Sequence, residues 1–229
     1  KTLVRLGIRT LLLLAQAMAR RWRTGGLFLT LLFCSQPLLF YHSYNNYADL
    51  VLGCYAAAGF IFLLDWLRGR RISDLMLAAA GIGFTLTVKN YGIFYIIALG
   101  VALAVALVLK RLNRRELGWA LGALLFPVLP LALFKVFFHL NLRNTEASWG
   151  WHPESLRPIG EALFWAGSWN IWWPAFIGLA VALAAMIWRK RELRIAWAFF
   201  LSALLILLTV FFVTENYQWA LDQTAFSRG

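Results

Sequence analysis

Four places in this 229-residue chain gather side chains that can bind a ligand or move a proton. The first is Tyr41-His42-Ser43-Tyr44-Asn45-Asn46-Tyr47-Ala48-Asp49. Aromatic rings stack on the C–H faces of sugars and amides bond their hydroxyls, so the mixture suits carbohydrate recognition. It equally suits the aromatic belt of a membrane interface. His42 and Tyr47 are its candidate contacts. Asp49 opens an apolar run, either as a helix N-terminal charge favoured by the macrodipole or as an ionisable group facing a polar cavity. The second place is Lys89-Asn90-Tyr91-Gly92, an isolated cation and amide between two apolar stretches. The third is Arg143, and the fourth is Trp149-Gly150-Trp151-His152-Pro153. Arg143 and His152 could hold a phosphate or a sugar, and Trp151 could stack on one.

The elements that position these groups follow from charge. Basic clusters at Arg20 to Arg23, Arg68 to Arg71, Lys110 to Arg115 and Arg189 to Arg194 alternate with gaps nearly free of Lys and Arg. That is the positive-inside pattern of a polytopic membrane protein. It places His42, His139 and His152, and most of the acidic residues, on the outer face. Hydrophobic residues make up 62% of the chain, more than a soluble domain of this size uses. The net charge of +12 resides largely in the four clusters, which leaves no basic stripe for nucleic acid.

The apolar pattern predicts an all-α bundle of about eight transmembrane helices, near 3–19, 26–41, 49–67, 73–88, 91–109, 117–136, 170–188 and 195–213. Residues 72–109 lie between two basic clusters, so an even number of crossings separates them. They read as a hairpin turning at Lys89-Asn90-Tyr91-Gly92. Lysine at the bilayer centre would cost about 2.5–3.5 kcal/mol, which also puts Lys89 at the surface. Pro37, Pro127 and Pro130 should kink their helices. Gly81-x-Gly83 and Gly118-x-x-x-Gly122 offer small-residue packing surfaces. Cys34 and Cys54 read as ordinary core residues. Residues 137–169 form a large extracytoplasmic loop. Within it an interfacial helix is expected over 158–166, from Pro158 at its first turn to Gly167. The chain reads as one membrane domain. Lys1 in place of Met, and a charged Thr2–Ala19 stretch, read as the tail of a helix that began upstream.

Tyr47-Ala48-Asp49-Leu50, following Gln36-Pro37-Leu38-Leu39, resembles the "xxADLPL" segment of bacterial GT-C membrane glycosyltransferases. These include the protein O-mannosyltransferase and aminoarabinose transferase relatives. The run from Ala79 to Gly92 is similar to their "AGLxxGLAxLTKxxG" segment. Val51 stands where the family often has Pro, and Tyr91 where it often has an acid. The tail from Asn216-Tyr217-Gln218-Trp219 to Arg228 is similar to a family segment with an early Trp and a later Arg. The resemblance implies transfer of a sugar from a polyprenyl-phosphate-linked donor to a glycan, lipid or protein acceptor. The reaction would occur on the extracytoplasmic side, in a bacterial inner membrane.

By family position Lys89 is the phosphate contact, with Asn90 beside it, and Asp49 lines the same cavity. The principal acidic residue would lie in a loop upstream of Lys1. No cofactor is identified; there is no Asp-x-Asp, and a divalent metal stays open. For Lys89 the competing reading is a lysine snorkelling to the interface. For the chain it is a lipid or solute transporter or flippase without chemistry, or an assembly subunit. Transporters tend to carry internal repeats, and none is visible here.

Overall fold

The computed structural model describes residues 48–138, 150–161, 177–178, 181–182 and 184–213. Its helices are α1 (Ala48–Gly69), α2 (Ile72–Val88), α3 (Gly92–Val108), α4 (Arg114–Phe137), α5 (Leu156–Glu161), α6 (Ala184–Arg189) and α7 (Arg191–Val213). A 3₁₀ turn over Pro153–Ser155 leads into α5. Among the described residues there is no strand. Val51–Gly69 in α1, α4, and Arg191–Val210 in α7 are long and apolar enough to cross a membrane. The helices α2 and α3 have 17 residues each, about 25 Å at 1.5 Å per residue.

The hairpin expected within 72–109 is present, with its turn at Lys89–Tyr91. The expected spans 3–19 and 26–41, and most of 170–188, lie outside the described residues. Two helices begin earlier than their apolar runs. Asn113 caps α4: its side chain accepts from the Glu116 N–H at 2.8 Å, and the Asn113 N–H donates to Glu116 Oε2 at 3.0 Å. This capping box sets the first turn among charged residues, ahead of the apolar stretch. The first turn of α7 likewise takes in Arg191 to Arg194. The interfacial helix starts at Leu156, two residues ahead of Pro158, and is described as far as Glu161.

Helix α2 lies at the centre, against α1, α3 and α4, while α7 packs on α3 and touches α1. The core is Leu63, Trp66 and Leu67 of α1, Leu75, Ala78 and Ile82 of α2, Ala98, Leu99 and Ala102 of α3, and Ile195 and Phe199 of α7. In lipid the hydrophobic effect does not bring helices together, so close van der Waals approach must. Gly81 supplies it toward α1, where an added Cβ would lie 3.2 Å from the Gly59 Cα. Gly83 supplies it toward α4, where a Cβ would lie 2.7 Å from Pro127 Cγ. Among the described residues nothing lies within 4 Å of a Cβ added at Gly118 or Gly122. They stand on the side of α4 away from α2, beside exposed Trp119 and Leu121. The helix α4 continues through Pro127 and Pro130 as one element. Cys54 is buried, as expected, and Cys34 lies outside the described residues.

Short connections make α1 to α4 alternate in direction, which brings the basic segments to one end. There Arg70 bonds both carboxylate oxygens of Glu116 at 3.3 Å and lies 4.4 Å over the Trp66 ring. Arg111 pairs with Glu192 of α7. Two ion pairs therefore fasten the α1–α2, α3–α4 and α6–α7 connections into one basic end. The Lys89 turn, the start of α1, and the ends of α4 and α7 share the far end.

Candidate functional site

The Lys89–Asn90–Tyr91 turn is built by steric exclusion and one buried hydroxyl. Lys89 leaves α2 in extended backbone, φ −148° and ψ 151°, its N–H still donating to Thr85 O at 3.2 Å. The Gly92 N–H returns to Lys89 O at 2.9 Å, and the Ile93 N–H to Asn90 O at 3.2 Å. These bonds satisfy the first donors of α3, which otherwise would have no partner in the helix. At Gly92 a Cβ would sit 2.3 Å from Leu86 N and Thr85 C, so only glycine fits. Thr85, wholly buried, donates to Ile82 O at 2.5 Å and lies 3.1 Å from Gly92 O.

A second cation meets the turn. Lys135, in the last turn of α4, donates from Nζ to Asn90 Oδ1 at 3.0 Å. Lys89, next to Asn90 in the chain, and Lys135 of α4 thus belong to one exposed turn at the far end. Next to Lys135 an open recess of about 400 Å³ is lined by Leu133, Phe134, Val136, Phe137 and Phe138. A cationic amide cluster beside an apolar surface can take an anionic head group joined to a hydrocarbon chain. Ammonium donors and a neutral amide suit phosphate oxygens, and apolar walls suit the chain.

The second cluster sits on the end of α7. The His152 N–H donates to Phe212 O at 2.8 Å, and the Gly150 N–H to Val213 O at 3.3 Å. These satisfy carbonyls that the helix end leaves open. Trp151 stacks on Phe212, ring centroids 6.1 Å apart, yet stays 71% exposed and presents its other face outward. His152 Nδ1 lies 3.0 Å from Glu154 Oε1, and the Ser155 hydroxyl donates to His152 O at 2.7 Å. The Glu154 backbone N–H, and after it the His152 ring, hold the Glu154 carboxyl below its ordinary value. Arg157 and Glu161 pair one turn apart at 2.8 Å, which raises the Arg157 guanidinium further.

Of the expected residues, Lys89 and Asn90 share the turn and Trp151 and His152 share the α7 end, all at the far end. Asp49 lies in the first turn of α1 at that same end. His42, Tyr47 and Arg143 lie outside the described residues. Sequence reasoning missed Lys135, which falls one residue inside the expected 117–136 span. Its signal was sidedness: a lysine at the outer end of a span breaks the pattern that assigns lysines to the other end. Among the described residues no group of three or more His, Cys, Asp and Glu side chains could hold a metal ion. Compared with family models, curated proteins and solved structures, the chain matches none.

Proposed function

We propose that the chain is the membrane domain of a glycosyltransferase, an eight-span bundle in a bacterial inner membrane. It moves a sugar from a polyprenyl-phosphate-linked donor to an acceptor on the extracytoplasmic side. One observation carries this reading: Lys135 of α4 meets the Lys89–Asn90 turn at the far end, opposite the basic connections. Positive-inside sorting leaves few lysines on that side, so Lys135 bonded to a turn that carries a second lysine supports a site for an anionic ligand. The chemistry follows. Lys89 and Lys135 stabilise the phosphate as the sugar–phosphate bond breaks, because charge develops there in the transition state. A carboxylate, with Asp49 as the candidate in this chain, takes the acceptor's proton. Trp151 offers a stacking face for the acceptor or the sugar.

The test is glycosyl transfer by the protein in nanodiscs, supplied with polyprenyl-phosphate sugars and short acceptors. Lys89→Ala and Lys135→Ala each remove a charge-assisted bond of about 1.5–3 kcal/mol. Each should therefore lower kcat/KM by about 10- to 100-fold. Full activity in both variants removes the cluster from the site. Movement of labelled lipid between leaflets with no glycoside formed would replace the reading with a flippase.

A further inference from the structure

We propose that Thr85 is a positioning residue for the Lys89–Asn90 turn, its buried hydroxyl fixing where the turn stands relative to Lys135. That the positioned group meets a phosphate rests on the reading above. The positioning itself rests on geometry alone.

A threonine inside a helix commonly turns its hydroxyl back to a carbonyl three or four residues earlier. Thr85 does so with Ile82 O at 2.5 Å. That bond needs no partner across a turn. Thr85 has one: Gly92 O, seven residues on and already inside α3, lies 3.1 Å from the same oxygen. One hydroxyl hydrogen is shared by carbonyls of two helices. Thr85 is 0% exposed, so water cannot stand in for either acceptor. Its branched Cβ leaves few rotamers, which holds the hydroxyl in place. Gly92 makes the arrangement tight, since its Cα approaches α2 so closely that a Cβ would lie 2.4 Å from Thr85 O. Three residues, Lys89 to Tyr91, connect the two helices so held. With both ends pinned, the turn has little freedom, and the Lys135 to Asn90 bond forms against a fixed target.

Replacing the hydroxyl by a methyl changes this contact and little else. Thr85→Val keeps the shape but sets a methyl against Gly92 O, which pushes the start of α3 away. Thr85→Ser keeps the hydroxyl. Thr85→Ala removes the bond without adding a methyl, and serves if the valine variant does not fold. The readout is the rate at which a short bismaleimide bridges Asn90→Cys and Lys135→Cys, with Cys34 and Cys54 changed to Ala, in native membranes. Loss of one shared hydrogen bond should slow bridging about fivefold in the Val and Ala backgrounds. The Ser background should stay within about twofold of Thr.

Farnesyl phosphate binding is measured alongside on protein that keeps Asn90 and Lys135, with Thr, Val and Ser at position 85. Slower bridging with weaker binding, both restored by Ser, supports positioning of an anion site. Slower bridging restored by Ser, in a protein that binds no farnesyl phosphate, supports the positioning and overturns the phosphate reading. Equal bridging rates with Thr, Val and Ala overturn the positioning, whatever the binding shows.

Discussion

The two ends of the bundle spend their charges differently. At the basic end Arg70 meets Glu116 and Arg111 meets Glu192, so arginines from two connections are matched by carboxylates in the first turns of α4 and α7. Glu116 also closes the capping box of α4. The charges there hold the fold. At the far end Lys135 meets an amide oxygen. An amide leaves the ammonium its full charge and two further donors. The rigidity of that end comes instead from buried neutral groups, Thr85 and Gly92, placed one turn behind the lysines. Charge that is neutralised builds structure; the Lys135 charge, set on a neutral amide, remains available to a ligand. The same residue types thus read as scaffold at one end and as a site at the other.

The largest expected effect falls on the rigid part of the far end. Gly92→Ala drives a Cβ to 2.3 Å from backbone atoms of Thr85 and Leu86, which no rotamer change can relieve. The cost should reach or exceed the ~1–3 kcal/mol typical of overpacking. Gly118→Ala and Gly122→Ala, where no described residue lies within 4 Å of an added Cβ, should stay within about 1 kcal/mol of the parent and on the stabilising side. Thermal unfolding in detergent ranks the three. A tolerated Gly92→Ala would show that the turn is not sterically fixed.

At the basic end, Glu116→Ala removes the side-chain bond from Glu116 back to the Asn113 N–H and the Arg70 partner, while Asn113 still caps the backbone N–H of residue 116. That one lost bond costs about 0.5–1.5 kcal/mol. The partly exposed ion pair adds less than about 1 kcal/mol. Glu116→Gln separates the two, because its amide oxygen can still accept from the Asn113 N–H while the charge is gone. The stability gap between Glu and Gln at 116 should close in about 1 M salt, where the Debye length is roughly 3 Å. The gap between Gln and Ala should persist. A Gln variant as unstable as Ala would mean that charge, and not the cap, holds this end.

Hydrophobic run length and basic flanks carried most of the fold, since each core helix coincides with an apolar run between turn or charge signals. The helix starts were legible too, in Asn113-Arg114-Arg115-Glu116, but an apolar pattern passes over a capping box made of charged residues. Gly81 and Gly118 show what a pattern cannot decide. Both sit in small-residue motifs, and only packing tells that one faces Gly59 and the other faces no described residue. For the site, Lys89 and Asn90 were visible because a charge interrupts an apolar stretch. Lys135 was hidden because it lies inside a span, and its link to Asn90 joins residues 45 apart. Thr85 offered no signal: an uncharged residue within an apolar helix takes its role from a carbonyl across the turn.

A smaller effect tests whether the far-end cations are structural. Lys135→Met keeps the apolar stem and removes one hydrogen bond to an exposed amide. It should cost about 0.5–1 kcal/mol or less in unfolding experiments, below the Glu116→Ala loss. If it destabilises the protein as much as Glu116→Ala, Lys135 belongs to the scaffold and the contrast between the ends fails.

The smallest effect concerns the segment seated on α7. Glu154 is exposed, and its own N–H and the His152 ring hold its carboxyl below the ordinary 4.5. A carboxyl lowered by folding stabilises the folded form fully above its ordinary value. That contribution is lost as pH falls through the lowered value. Between pH 7 and 5 the seat of His152 on Phe212 should therefore show no change from Glu154. It should loosen only in the acid range, as pH falls below 4.5 and through the lowered value. Trp151 reports this through its stack on Phe212, read as the fluorescence difference between parent and Trp151→Phe. The difference should alter only in the acid range, and Glu154→Gln should flatten it. A transition between pH 5 and 7 that survives Glu154→Gln would assign the seat to another titrating group.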